Sequence, residues 1–148
     1  ERSMTVKTET NFYKNVKKLL ENGDKQFIVT RIESYATPGF PDCIIYHNDL
    51  GFFTLELKVV RRNKKGIGSV LISPLQMAWH LLHIIHGAPV YILVYDPGKR
   101  IVNLFGGDKL PKLRQEPYDD VVPGALYSGP LAGLQLVKLL SPQTPKLH

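Results

Sequence analysis

The chain has 148 residues, is 43% hydrophobic and carries a formal net charge of +6. That size suits one domain with a real core, and the apolar content excludes wholesale disorder. No apolar run approaches the ~20 residues that span a bilayer, no signal-peptide pattern opens the chain, and one cysteine, Cys43, excludes an internal disulfide, so a reducing, cytoplasmic setting is expected.

Glu1, Arg2 and Ser3 read as an added leader before a natural start at Met4. The first helix is expected from about Glu9 to Glu21, with Thr8 as its cap and Asn22-Gly23 as its stop. Phe12, Tyr13, Val16, Leu19 and Leu20 make its apolar face. Glu9 falls on the stripe of Tyr13, Val16 and Leu20, at the N-terminal end of the core-facing side, where it can serve a site or simply favour the helix dipole. "KQFIVTRIES", residues 25–34, has the β-branched and aromatic content of a strand.

"YATPGFP" is a turn-rich loop, and Pro41 leads into a strand from Asp42 to about His47. "HNDLG" signals a hairpin turn, so the next strand, Phe52 to Val60, is expected to lie antiparallel to it. Cys43, inside this apolar run, is expected to be a small buried hydrophobe. Period-two alternation puts Thr54, Glu56 and Lys58 on one face and Phe53, Leu55 and Leu57 on the other. Glu56 and Lys58 then stand roughly 7 Å apart, and the hairpin brings Asp42 beside them. Buried charges cost several kcal/mol unless they are paired or bind a metal. Two carboxylates and a lysine at a strand end are what metal-dependent phosphodiester hydrolysis needs, since Mg²⁺ takes hard oxygen ligands and activates water.

"KVVRRNKK" follows, placing Arg61, Arg62, Lys64 and Lys65 just beyond Lys58 with no acid among them. It reads either as a solvated basic loop or as a mobile arm that lies against phosphates. "SPLQMAWHLLHIIHG" is a helix with Ser73 as cap, Pro74 in its first position, Gln76 completing a capping box, and Gly87 as its end. Leu75, Ala78, Trp79, Leu82 and Ile85 are expected to be its packing face, with Gln76, His80 and His83 on a separate stripe. Zinc binding by His80, His83 and His86 is disfavoured, because spacings of three drift around the helix. "APVYILVYD", residues 88–96, reads as a central buried strand and "RIVNLF" as another. Beyond Gly106 the proline-rich segment reads as ordered loop, ending in a short helix within "LAGLQLVKLL".

"GFPD", then "TLELK" with Glu56 fourteen residues after Asp42, then a helix carrying Gln76, resembles the PD-(D/E)xK nuclease superfamily. Over residues 9–96 the chain is most similar to its virus-type replication-repair (VRR-NUC) branch, near the Holliday junction resolvases. The resemblance implies an α/β restriction-endonuclease-like core, with a central mixed sheet flanked by helices, over residues 5–107. Residues 108–148 would be a C-terminal extension of the same domain. It implies metal binding by Asp42, Glu56, the backbone carbonyl of Leu57 and Glu9, with Lys58 and Gln76 completing the catalytic set. The implied cofactor is Mg²⁺, with Mn²⁺ as a substitute. The implied activity is structure-selective DNA cleavage by a homodimer of phage or bacterial origin, acting on branched DNA. A restriction-type or degradative nuclease, and a non-catalytic DNA-binding module, are the competing expectations.

Overall fold

The computed structural model describes residues 2–32 and 38–141, and for 2–7 the backbone alone. Helix α1 (Arg2–Gly23) leads into strands β1 (Phe27–Arg31), β2 (Cys43–His47) and β3 (Gly51–Val59). A two-stranded hairpin, β4 (Arg61–Arg62) with β5 (Gly68–Ser69), precedes helix α2 (Pro74–Ile85). Strands β6 (Val90–Asp96) and β7 (Ile101–Gly106) follow, then helices α3 (Leu110–Gln115) and α4 (Tyr118–Val121), strand β8 (Tyr127–Gly129) and helix α5 (Leu136–Leu140).

The main sheet has six strands in the order β1-β2-β3-β6-β7-β8. Only the β3–β6 pair is parallel, and α2 forms the crossover between them. A parallel neighbour cannot be reached by a tight turn, so the helix must run back across one face. The apolar run from Val90 to Asp96 is therefore interior, with Ile92, Leu93 and Val94 fully buried. The hairpin and both later strands fall where the sequence places them.

The two faces of the sheet are covered differently. Phe12, Val16 and Leu20 of α1 pack on Leu55, Leu93, Val102 and Leu104, joined by Leu134 and Leu136 from the C-terminal segment. On the opposite face Ile92, Val94 and Phe105 pack with Leu110, Leu113, Tyr118 and Val121, and Met77 of α2 closes over them. At the β1 edge, Lys17 donates to the Val29 carbonyl at 2.9 Å and Glu21 accepts from the Val29 N–H at 3.0 Å. These bonds satisfy backbone groups that an edge strand would otherwise present to another chain.

Four expectations are corrected. The first helix begins at Arg2, so Thr8 lies inside it rather than capping it. The basic segment after Lys58 is a hairpin whose turn is closed by the Asn63 side chain, which accepts from Lys65 N at 2.9 Å and Ile67 N at 3.0 Å. The C-terminal stretch forms α3, α4 and β8, elements of three to six residues that are too short for periodicity to reveal. Its final ten-residue run splits into a 3₁₀ turn (Leu131–Gly133) and α5. Finally, α2 turns the other way: Leu75 is 55%, Leu82 55% and Ile85 76% exposed, while His80 is buried. The apolar pattern of the helix does not set its rotation; the tertiary contacts do. The expected strand end at Glu33 and Ser34 lies outside the described residues.

Candidate active site

Asp42 is placed by the loop before it. Gly39 has φ of 88°, and a Cβ there would overlap the Leu75 carbonyl group, so only glycine lets the loop press on the first turn of α2. Phe40 packs on Trp79 with ring centroids 5.2 Å apart, and Trp79 stacks on His83 at 3.6 Å. The loop that delivers Asp42 is thus bolted to the helix that delivers Gln76.

The β2–β3 register pairs Cys43 with Leu55, and one step further sets Asp42 opposite Glu56. Asp42 Oδ2 accepts from the Leu57 N–H at 2.7 Å, which holds the carboxylate beside β3. Glu56 is 1% exposed. Burial first, then the adjoining Asp42 carboxyl, push its pKa well above the ordinary carboxylate value, with Lys58 opposing and Glu9 adding to the rise. Lys58 Nζ donates to Gln76 Oε1 at 3.0 Å. That same oxygen accepts from the Ser73 backbone N–H at 3.0 Å, so the capping box and the lysine contact share one atom.

Asp42, Glu56, Lys58 and Gln76 therefore converge at one end of the sheet, on the face that α2 covers. Glu9 is exposed on α1, close enough for its charge to act on Glu56. Leu57 points its side chain into the α1-side core, while its backbone lies between the two charged residues. Arg61, Lys64 and Lys65 are exposed on the hairpin. Arg62 differs from the other cations of this segment. Its guanidinium bonds Asp96 at 2.6 Å and Asp119 at 2.9 Å, tying the hairpin to β6 and the C-terminal segment.

The donor set fits a hard divalent cation. Two adjoining carboxylates, one of them buried and resisting ionisation, lose their mutual repulsion when a cation lies between them. Cys43 does not compete as a soft ligand. It lies on the α1 side, donates to the Leu55 carbonyl at 3.4 Å, and burial with two nearby carboxylates pushes its thiol up to about 12.

Sequence reasoning missed three participants: Gly39, the Phe40–Trp79 contact and the burial of His80. The Gln76–His80 spacing was the available signal, but nothing in it says which side of α2 meets the sheet.

No family model and no curated protein matches the chain. A six-stranded mixed sheet flanked by helices, with an acidic pair at the end of β2 and β3, defines a mixed α/β fold. Among solved structures the chain is similar to Archaeoglobus fulgidus Hjc, a Holliday junction resolvase from an archaeal hyperthermophile, with a TM-score of 0.54 and 18% identity. The match covers 78% of this chain and 93% of that chain. At this identity the likeness establishes the shared fold.

Proposed function

We propose that this protein is a Mg²⁺-dependent, structure-selective DNA endonuclease of the PD-(D/E)xK superfamily and VRR-NUC type, acting as a Holliday junction resolvase. The observation that carries the reading is the meeting of Asp42 and Glu56 beside the Lys58–Gln76 pair. Asp42, Glu56 and the Leu57 carbonyl would hold the cation, with Glu9 at the rim. Bound there, Mg²⁺ (or Mn²⁺) supplies a water of lowered pKa and charge to offset the phosphorane oxygens.

The chain's own groups do the rest. Gln76 Oε1 accepts a hydrogen bond from one of the three Lys58 N–H groups and leaves two to orient the attacking water or bond the scissile phosphate. Asp42 is kept in place by the Leu57 N–H. Arg61, Lys64 and Lys65 lie just past the strand that carries the site and face the phosphate backbone, whereas Arg62 braces the hairpin.

We also propose a homodimer. Leu75, Leu82 and Ile85 of α2, with Ile28 on the edge strand β1 and Phe52 on β3, are all more than half exposed. A second copy covering them removes apolar surface from water, and two sites related by a two-fold suit paired nicks across a junction.

The test is Mg²⁺-dependent cleavage of four-way junction, flap, single-stranded and linear duplex DNA side by side. Symmetric nicks confined to the junction are expected. Equal digestion of every substrate would mean a degradative or restriction-type nuclease, and DNA binding without cleavage would mean a non-catalytic module.

A further inference from the structure

His80 is fully buried at the centre of α2. Its Nδ1 lies 2.8 Å from the Gln76 carbonyl oxygen. A carbonyl only accepts, so Nδ1 carries the proton and Nε2 presents a lone pair. Burial holds the imidazole pKa below its ordinary value, which keeps the ring neutral, and the charges of Lys58 and Asp42 reach it.

The position of the ring follows from the topology. Helix α2 starts over the C-terminal end of β3, where Gln76 meets Lys58, and runs back to feed the parallel strand β6. Four helical residues rise about 6 Å, the span of about two strand residues. One turn beyond Gln76, His80 is therefore level with Glu56, which shares the inward face with Lys58, and Thr54 is the next residue along that same face. Among the described residues, four buried side-chain atoms lack a protein partner: Thr54 Oγ1, Glu56 Oε2, His80 Nε2 and Asn103 Oδ1. Three of the four belong to α2 and to the inward face of β3.

We infer that Thr54 and His80 are positioning residues for Glu56, holding its carboxylate through one buried water. The inference rests on the cation-dependent nuclease reading. The hydrogen-bond count closes: the water donates to His80 Nε2 and Glu56 Oε2 and accepts from the Thr54 hydroxyl. Three partners are typical of a buried water. Glu56 is then fixed in one rotamer, with its other oxygen facing Asp42 and the cation. Groups that orient metal-binding side chains in this way typically change metal affinity about 10- to 100-fold when removed.

The test is Mn²⁺ binding to the full chain without DNA, followed by the paramagnetic signal of the free ion. Wild type, Asp42→Asn, Thr54→Val, His80→Phe and His80→Gln are compared, with Tm of each protein measured without Mn²⁺. Thr54→Val and His80→Phe should each weaken binding about tenfold or more while the fold persists. His80→Gln places an amide oxygen where Nε2 lay, and should recover most of the affinity. Wild-type affinity in Thr54→Val and His80→Phe, with binding lost in Asp42→Asn, would overturn the inference and leave the nuclease reading standing. His80→Gln as weak as His80→Phe would also overturn it. If His80→Phe fails to fold, the near-isosteric Thr54→Val decides the matter alone. Equal binding by wild type and Asp42→Asn would remove the cation site itself, and the inference with it.

Discussion

Asp42 accepts a 2.7 Å hydrogen bond from the backbone N–H of Leu57, the residue between Glu56 and Lys58. One carboxylate is thereby locked against the strand that carries the other two charged groups. The Glu56 carboxyl adjoins it, so the Asp42–Glu56 pair is preorganised before any cation arrives. Preorganised charge is worth more than charge that must be gathered during the reaction.

The first prediction concerns that pair. Asp42→Asn or Glu56→Gln should reduce cleavage by several orders of magnitude while circular dichroism and junction binding stay near wild type, because water activation is worth several kcal/mol. Glu9→Gln, at an exposed position, should have a smaller effect. Turnover near wild type in either of the first two variants would refute the metal-ligand roles.

The second follows from the raised pKa of Glu56. Folded Glu56 binds its proton more tightly than unfolded Glu56, so the folded state holds more protons as pH rises. Without a cation, stability should therefore fall as pH climbs from the ordinary carboxylate range, about 4, through the higher folded pKa. Glu56→Gln should flatten the decline, and Mg²⁺ should oppose it in the wild type. Tm measured against pH, with and without Mg²⁺, checks all three. A wild-type curve that rises with pH to match the variant would contradict it.

Third, the basic hairpin should divide into two functions. Asp96 has 2% of its side chain exposed and relies on Arg62, so Arg62→Ala should cost about 2–3 kcal/mol and lower Tm by about 5–10 °C. Replacing Arg61, Lys64 and Lys65 with Ala should leave Tm unchanged and weaken DNA binding. The log–log salt slope should shrink by about 0.9 for each phosphate that is no longer neutralised. Affinity measured against salt for both variants would expose the opposite division.

Fourth, Gly39→Ala should cut cleavage at least about tenfold although every charged group remains. Its Cβ would overlap the Leu75 carbonyl group in a backbone conformation with φ of 88°. The loop must then lift from α2 and carry Asp42 with it, and a misplacement of about 1 Å can cost about 100-fold. Unchanged kcat in this variant would show that Asp42 is positioned by β2 alone.

Much of the architecture was legible because it depends on local rules. Asn48-Asp49 between two apolar runs specifies the hairpin, and alternation along β3 assigns Glu56 and Lys58 to one face. Ser73-Pro74 and Gly87 punctuate α2, and the spacing of Asp42, Glu56, Lys58 and Gln76 carries the resemblance to a nuclease scaffold. The turn, alternation and capping signals arise within a few residues, where covalent geometry fixes what side chains can reach.

What the tertiary structure alone decided lies between elements. The rotation of α2, which exposes Leu82 and Ile85 and buries His80, runs against its apolar pattern and is set by which side meets the sheet. Arg62 looks like its basic neighbours until folding brings Asp96 and Asp119 to it from 34 and 57 residues away. Gly39 acquires its importance only when Leu75 lies against it. Sequence determined the elements and the charged residues they carry, because backbone periodicity and turn chemistry are local. Packing decided which charges are paired, which stand exposed and which carboxylate resists ionisation, because burial and through-space fields belong to the assembled fold.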